Sequence, residues 1–302
     1  LTRNTSDKSM YQGAYPIKDN IKFRLVQFRS GLKLPLYGSQ LEVALTRQWY
    51  RAFIQEEIMT NEYGRLDAGA AYDYFRGWSI SGAWSIDMRK RTLDKTINPS
   101  AGYTVNANID LEKNDFIEGL NFSESGTLLE NFKSNNLGRF QLGGSYHFEL
   151  PWKKRWTISL SGQLGWISNN NVDSFFHFYL GGMPGLKGYP FYSIQGTKSS
   201  LLDLTFRVPV FMERHYKFNW IILQNSTIGL VMQAGDAWTD DMSIKKSIGI
   251  QWRLNGFSFF NFPTAIEVEY HHPMDNFERE INDEAIKYGE NGRTYVKVLF
   301  DF

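Results

Sequence analysis

The side chains best suited to chemistry include a serine and a histidine two positions apart. Ser145 and His147 stand in the stretch GGSYHFEL, and a serine beside a histidine can act as a nucleophile in ester hydrolysis. In a β-strand this spacing places both side chains on one face. An ordinary polar lining would show the same pattern. The pair is therefore a candidate hydrolytic site to which the sequence alone assigns no catalytic role.

Residues that could hold a metal ion occur in two stretches. Asp236, Asp240 and Asp241 in GDAWTDD would suit Ca²⁺, which takes oxygen ligands, although a solvated loop has the same composition. His271 and His272 are adjacent, so a strand would point them to opposite faces. The chain has no cysteine and hence no thiolate ligand. We therefore predict neither a metal site nor a cofactor.

A glycine-rich stretch, GGMPGLKGYPF at residues 181–191, carries a single cation, Lys187. It is no phosphate-binding P-loop, because that motif requires the order Gly-Lys-[Ser/Thr] and a following helix. Leu186 and Tyr189 flank the lysine, and their apolar side chains favour a buried loop over a solvated turn. A second basic stretch, MRKRTLDK at residues 88–95, suits a connection between strands, with a lipid or peptidoglycan contact as the alternative.

The composition excludes some classes of protein. Basic and acidic residues nearly cancel, at 33 against 32, so bulk charge gives no reason to expect a nucleic-acid partner. No run approaches eighteen apolar residues, so no transmembrane helix is predicted. Aromatic residues reach 16% of the chain, which is a high share.

Long segments alternate between apolar and polar residues with a period of two. In residues 78–88, 103–111 and 156–166 every second residue is apolar or glycine, and most of the intervening ones are small or polar. Successive side chains of a strand point to opposite faces, so each of these strands has one apolar and one polar face. In a soluble sandwich the apolar face would point into a core, whereas in an outer-membrane barrel it would meet lipid.

Strand length and aromatic placement favour the membrane barrel. The predicted strands reach about ten or more residues, which exceeds the usual five or six of a sandwich. Tryptophan and tyrosine recur near strand ends, as they do at bilayer interfaces. The last ten residues, RTYVKVLFDF, alternate and end on an aromatic residue. Val298, Phe300 and Phe302 share one face there, and they resemble the C-terminal signal by which bacterial barrels are recognised for assembly.

We therefore predict an all-β transmembrane antiparallel β-barrel of about twelve strands over residues 20–302. Residues 1–19 are polar and are assigned to a linker or to the end of a preceding domain. An even number of strands places both ends on the periplasmic side. The extracellular connections are then residues 75–77, 113–137, 168–197, 236–244 and 272–292. The periplasmic ones are residues 53–62, 89–100, 150–153, 210–221 and 255–263. The predicted strands lie near 20–34, 40–52, 63–74, 77–88, 101–112, 138–149, 154–167, 198–209, 222–235, 245–254, 264–271 and 293–302.

The glycine-rich stretch and its neighbouring strands resemble the Omp85 superfamily, which includes BamA-like barrels and the surface antigen D15 type. In that family a Gly-Gly pair precedes a [V/L]-R-G-[F/Y] tetrad on a long extracellular loop that folds back inside the barrel. The resemblance covers roughly residues 95–302 and rests on an ordered series of motifs. These are Gly181-Gly182, Leu186-Lys187-Gly188-Tyr189, Thr205 with Arg207 and Pro209, Gln233-Ala234-Gly235, Ser247-Ile248-Gly249-Ile250, and NPSAGY from Asn98 to Tyr103.

The resemblance also implies how the loop is held. In the family the tetrad arginine pairs with the glutamate of an E-x-R-x-P strand and the aspartate of D-A-G. Here these three positions are Lys187, Thr205 and Gln233, so the charged partners have changed together. Asp203 and Asp236 are expected to face outward or to lie in a loop. The predicted partners that lock the loop are Thr205, Arg207 and Gln233.

The stretches MPGLKGYPFYSI, SFFNFPTAIEVEY and YVKVLFDF also resemble a narrower group. These are Omp85-like barrels fused to TolB-like β-propellers in Bacteroidetes-type bacteria. Barrels of the family that the chain resembles usually have about sixteen strands. Either four N-terminal strands lie outside this chain, or this barrel is smaller.

The resemblance implies a Gram-negative outer-membrane protein that assembles or translocates other outer-membrane or surface proteins. Its partners would be outer-membrane lipids, periplasmic or lipoprotein partners and client proteins, without nucleic acid, and it would have no catalytic activity. Two alternatives stay open. One is a membrane anchor or scaffold for a fused periplasmic domain or a partner protein. The other is a lipid-acting barrel enzyme that would use Ser145 and His147.

Overall fold

β-Structure dominates the chain in the computed structural model. The described part of the chain contains eleven strands of eight or more residues, together with the 3₁₀ turn Ser174–Phe176. No helix among the described residues is long and apolar enough to cross a membrane. The structure describes residues 4–5, 21–61, 64–90, 92, 97–122, 128–212, 214–259, 262–281 and 284–300.

The eleven long strands are neighbours in chain order within one sheet. The pairings from the fifth strand to the eleventh are antiparallel throughout. The strands are β1 (Ile21–Leu36), β2 (Ser39–Asn61), β3 (Gly64–Asp87), β4 (Gly102–Phe122), β5 (Leu128–Glu149), β6 (Thr157–Ile167), β7 (Lys198–Phe211), β8 (Ile221–Trp238), β9 (Lys245–Ser258), β10 (Phe262–Pro273) and β11 (Arg293–Phe300).

Shorter strands extend this sheet or lie in its connections. Asn4–Thr5 pairs with the start of β1, and Tyr216–Phe218 pairs with β8. Phe178–Tyr179 and Gln195–Gly196 pair with each other at the base of the glycine-rich loop. Between β10 and β11 the chain forms a separate hairpin from the strands Phe277–Ile281 and Glu284–Tyr288.

The chain divides into two compact units, each with its own buried apolar cluster. In the first unit Ala52 and Tyr72 are buried. In the second unit the cluster includes Leu186 and Tyr189 of the glycine-rich loop. The first unit comprises Leu1–Leu34, Glu42–Gly82 and Ile109–Gly138, and the second comprises Pro35–Leu41, Ala83–Asn108 and Arg139–Phe302.

Burial along the strands of the second unit is inverted relative to a soluble sandwich. On β9 the polar residues Gln251 and Arg253 are only 3% and 5% exposed, whereas Ile250 and Trp252 are 58% and 47% exposed. A sandwich would bury the apolar side chains and expose the polar ones. Strands of an outer-membrane barrel do the opposite, because lipid covers their apolar face. The inverted pattern therefore agrees with a membrane-spanning sheet.

The strand count near the N-terminus corrects the sequence-based prediction. The predicted strands 63–74 and 77–88 correspond to the single strand β3, so the turn predicted at residues 75–77 does not form. The ladder continues because Phe75 packs on Tyr50 of β2, with ring centroids 4.9 Å apart. Since antiparallel neighbours run in opposite directions, one strand fewer reverses the predicted side of each connection before residue 64.

Several strands are also longer than predicted. Much of the connection predicted at residues 113–137 belongs to β4 and β5. Charged and polar side chains of this stretch pair across the sheet. Arg76 binds Glu130 at 2.8 Å, and the Ser134 hydroxyl donates to Asp115. Cross-strand pairs of this kind stabilise a sheet that has polar residues on one face.

Candidate functional site

The glycine-rich loop forms a compact double turn through hydrogen bonds between its own backbone groups. Leu186 N–H donates to the carbonyl of Leu180 at 2.6 Å, and Gly182 N–H donates to the carbonyl of Tyr189 at 2.9 Å. Gly181 forms a parallel β-bridge with Leu186. Gly182 has a φ of +82°, a left-handed conformation that residues with a Cβ adopt only at a cost. The order of glycines in the motif therefore suits this fold of the chain.

Apolar side chains hold one side of the loop against the sheet. Leu186 and Tyr189 are fully buried. The Tyr189 hydroxyl lies 3.0 Å from the carbonyl oxygen of Lys246 and 2.9 Å from that of Asp275. Gly188 passes so close to the sheet that a Cβ there would lie 2.8 Å from Cβ of Ser247. The buried cluster comprises Leu180, Leu186, Tyr189, Ile194, Leu201 and Ala237.

Lys187 binds a carboxylate of β10. Its Nζ lies 2.8 Å from Oε2 and 3.0 Å from Oε1 of Glu269, whose side chain is fully buried. The carbonyl of Lys187 accepts a hydrogen bond from the Tyr295 hydroxyl of β11 at 2.8 Å. Burial lowers the pKa of the Lys187 ammonium, and attraction to Glu269 opposes that shift. The loop is thus tied to the last two strands of the sheet.

Glu269 is shared between the loop and β11. Lys297 Nζ lies 2.8 Å from Oε2 of Glu269 and 3.0 Å from Oε1 of Glu267. Gln251 donates to Glu269 at 2.6 Å and to Glu267 at 2.8 Å. Arg253 also binds Glu267, so two buried carboxylates face three cations. Buried charges persist only when they are paired and hydrogen-bonded in this way.

Gln233 contacts the loop through backbone groups. It accepts a hydrogen bond from the backbone N–H of Lys187 at 2.9 Å and donates to the carbonyl of Gly185 at 3.1 Å. Its Nε2 also donates to Asp203 at 2.8 Å, and the Ser247 hydroxyl donates to its Oε1 at 3.0 Å. The Gln233 side chain therefore supports the backbone of the tetrad, and the Lys187 ammonium is bound elsewhere.

Thr205 and Arg207 lie near the loop but bind other side chains. The Thr205 hydroxyl donates to Asp203 at 2.9 Å, and Arg207 Nε donates to Gln251 at 2.7 Å. The expected outward orientation of Asp203 is wrong. Residues two apart on a strand share a face, so Asp203 lies on the same face as Thr205 and reaches Gln233.

The carboxylate that binds Lys187 was missed from the sequence. Its signal was present in IEVEY, where Glu267 and Glu269 alternate with apolar residues and so occupy the polar face of one strand. Lys297 repeats the signal in the last strand, where it alternates with Val296 and Val298. Two acids and one lysine on facing polar positions predict an ion-pair network. This pattern does not indicate that Lys187 of the loop belongs to the network.

Ser145 and His147 are brought together with two further hydroxyls. His147 Nε2 lies 3.0 Å from Oγ of Ser145, and its Nδ1 lies 2.8 Å from Oγ of Ser159. The Thr104 hydroxyl lies 2.7 Å from Ser145. Both ring nitrogens of His147 therefore lie against serine hydroxyls. The arrangement fits a hydrogen-bonded polar lining.

The candidate metal ligands engage other partners or point apart. Asp236 accepts hydrogen bonds from Lys245 Nζ at 2.7 Å and from Ser243 N–H at 2.6 Å. His271 is fully buried, with Nε2 3.4 Å from Oε2 of Glu269, whereas His272 is exposed. Within the described residues, no group of three or more histidines and carboxylates is arranged to hold a metal ion.

The residues of the predicted C-terminal signal fall on the apolar face of β11. Val298 and Phe300 are exposed, and β11 pairs with β10 up to Phe300. Phe302 lies outside the described residues. Tyr295 and Lys297 occupy the other face, where they contact the loop and Glu269. One face of the last strand thus suits lipid, and the other holds the loop.

Comparison with known proteins identifies the family. The family model described as "Omp85 superfamily domain" matches residues 18–206. BamA from Haemophilus ducreyi lacking POTRA domains 1–3 is similar, with 15% sequence identity and a TM-score of 0.58 over 95% of this chain. The β domain of the Bordetella autotransporter Brka matches with 11% identity and a TM-score of 0.30, over 92% of this chain and 90% of that chain. No curated protein matches this chain.

The structural likeness and the family match establish different things. This chain spans 56% of the BamA chain, and at 15% identity that likeness shows the fold alone. The family match ends at residue 206, so the motifs at Gln233 and at Ser247–Ile250 lie beyond it. It nevertheless includes the loop and more than half of the sequence. The chain therefore belongs to the Omp85 superfamily, and it is an outer-membrane β-barrel protein of a Gram-negative bacterium.

Proposed function

We propose that this barrel takes part in the assembly or translocation of other outer-membrane or surface proteins. Its partners in that role are client proteins, outer-membrane lipids and periplasmic or lipoprotein factors. One observation carries the proposal: the loop and the last strand meet at one carboxylate. Lys187 and Lys297 both bind Glu269. Such a junction would link any movement of the last strand to the position of the loop.

A depletion experiment tests this role. Removing the protein from its native host should lower the amount of folded barrel proteins in the outer membrane, as measured by quantitative proteomics of that fraction. Re-expression of the Glu269→Gln variant should restore those levels less well than the wild-type protein. Lys287→Ala is the matched control, because Lys287 lies on the separate hairpin with its side chain 65% exposed. Unchanged barrel levels after depletion would contradict the proposal.

A second candidate role is that of a membrane anchor or scaffold for a periplasmic domain or partner protein. The change in the residues that hold the glycine-rich loop favours this role. The Lys187 ammonium binds Glu269, whereas the family's pattern places the partners at the positions of Thr205 and Gln233. The same depletion separates the two roles. For an anchor, the levels of other barrel proteins stay constant while the anchored partner leaves the outer-membrane fraction.

A further inference from the structure

A polar cavity of about 390 Å³ lies where β6 begins and β7 ends. The glycine-rich loop follows the opposite end of β6, and this cavity is a different one from that at Lys187, although Arg207 lines both. Its volume falls within the range of roughly 300–1,000 Å³ that is usual for small-ligand sites. The residues that matter here are Lys90, Glu149, Lys154, Arg155, Arg207 and Thr227.

The charge of the lining is strongly unbalanced. Four lining residues are basic and one, Glu149, is acidic. One oxygen of Glu149 already accepts a hydrogen bond from the backbone N–H of Arg155 at 2.7 Å. Among the described residues, Lys90, Arg155 and Arg207 form no ion pair with a carboxylate. A partly enclosed cavity with this excess of positive charge attracts anions.

Hydrogen-bond donors also remain available in the cavity. The Thr227 side chain is buried at 7% exposure, and its hydroxyl has no partner among the described residues. Arg207 donates to Gln251 at 2.7 Å and to Ser159 at 3.4 Å. These contacts use two of the five N–H donors of a guanidinium. A buried hydroxyl without a partner costs free energy, which a bound ligand would recover.

We propose that this cavity binds a phosphate group. Guanidinium forks, ammonium groups and a hydroxyl match the several acceptor oxygens of phosphate, and arginine engages such oxygens bidentately. The group comes either from free phosphate or from the headgroup of a phospholipid. Trp152 is 73% exposed on the same connection as Arg155, and exposed tryptophan beside basic residues is typical of the headgroup level of a bilayer.

Binding of inorganic phosphate to the full chain in a neutral detergent tests the free-phosphate source. Titration followed by ³¹P NMR line broadening should show saturable binding. The double variant Lys90→Gln/Arg155→Gln should weaken that binding at least tenfold, and Thr227→Val should weaken it a few-fold. Lys153→Gln is the matched control, because Lys153 is a cation of the same connection that does not line the cavity. Its affinity should equal that of the wild type.

Native mass spectrometry of the protein released from phosphatidylglycerol nanodiscs tests the lipid source. A retained phospholipid that is lost in the double variant identifies a headgroup as the ligand. Saturable phosphate binding without a retained lipid identifies free phosphate. The proposal is overturned if neither ligand binds, or if Lys153→Gln weakens binding as much as the double variant does. Heat-modified gel mobility of each variant confirms that the barrel is folded.

Discussion

The carboxylate of Glu269 decides how Lys187 is held. A fully buried carboxylate is costly unless cations and hydrogen-bond donors surround it. Lys187, Lys297 and Gln251 all lie within 3.0 Å of it. Lysine carries a compact charge with three donors and needs no planar partner, in contrast to arginine. A lysine in the tetrad therefore suits a carboxylate that a second lysine already shares.

Replacing Lys187 should weaken the barrel without preventing its insertion. In Lys187→Ala, Glu269 keeps Lys297 and Gln251, so the loss is that of one charged hydrogen-bond interaction. We expect the free energy of unfolding to fall by roughly 1.5–3 kcal/mol. The temperature at which the folded band disappears in a semi-native gel measures this change. An unchanged temperature would show that Lys187 does not stabilise the loop.

A double-mutant cycle assigns the loss to the pair. Glu269→Gln leaves two lysines without a full counter-charge and should destabilise more than Lys187→Ala. The double variant should be less destabilised than the sum of the two single variants. Additive losses would mean that Lys187 and Glu269 act independently. Lys287→Ala, on the exposed hairpin, should leave the transition temperature unchanged.

Sequence patterns predicted the environment of Lys187 better than its partner. The flanking Leu186 and Tyr189 indicated burial, and both are fully buried. Glu269 lies 82 residues further along the chain. Neither local propensity nor strand alternation reports which of several polar faces a loop will meet. Alternation did contain the information that Asp203 shares a face with Thr205.

At the scale of elements, the loop is fixed to the sheet by a tyrosine as well as by the ion pair. The hydroxyl of Tyr189 lies within hydrogen-bond distance of two carbonyl groups. One belongs to Lys246 on β9, and the other belongs to Asp275 in the connection after β10. Tyr189→Phe keeps the ring and removes this hydroxyl. We expect a loss of about 1 kcal/mol. Hydrogen exchange of residues 180–194 should therefore become about fivefold faster, as measured by mass spectrometry.

Tyr192→Phe provides the control for this prediction. Tyr192 lies in the same loop, is exposed and contacts the ring of Tyr179. Its substitution should leave hydrogen exchange of the loop unchanged. Equal acceleration in both variants would show that the Tyr189 hydroxyl has no special role in holding the loop.

Strand alternation predicted most elements of the sheet but not their lengths. Inverted burial on β9 follows directly from the alternating sequence. However, β2, β3, β4 and β5 have 23, 24, 21 and 22 residues. A membrane-spanning strand needs only about 9–11 residues. Charged residues beyond that length suggest a loop. They remain in the strand because they pair with a neighbouring strand, and the sequence of a single segment does not show that pairing.

At the scale of the whole molecule, the absence of cysteine allows a direct test of sidedness. The predicted barrel puts the connection between β5 and β6 in the periplasm and that between β8 and β9 outside the cell. Asp241→Cys should react with a membrane-impermeant maleimide in intact cells. Lys153→Cys should react only after the outer membrane is permeabilised. Mass-tagged gel shifts measure both reactions.

The opposite labelling pattern would reverse the assigned orientation. Labelling of both sites in intact cells would argue against a barrel that separates the two compartments. The wild-type chain serves as the blank, since it offers no thiol. Semi-native gels of each cysteine variant should show the folded band, so that exposure by unfolding is excluded.

The shared position of Glu269 makes the loop and the last strand thermodynamically reciprocal. Suppose that displacing β11 weakens the binding of the loop at Lys187 by a certain free energy. Releasing Lys187 must then lower the free energy needed to displace β11 by the same amount. A partner that displaced the last strand and a ligand that drew out the loop would in that case act as mutual effectors. The hydrogen bond from Tyr295 of β11 to the Lys187 carbonyl couples them in this sense, because displacing either side breaks it.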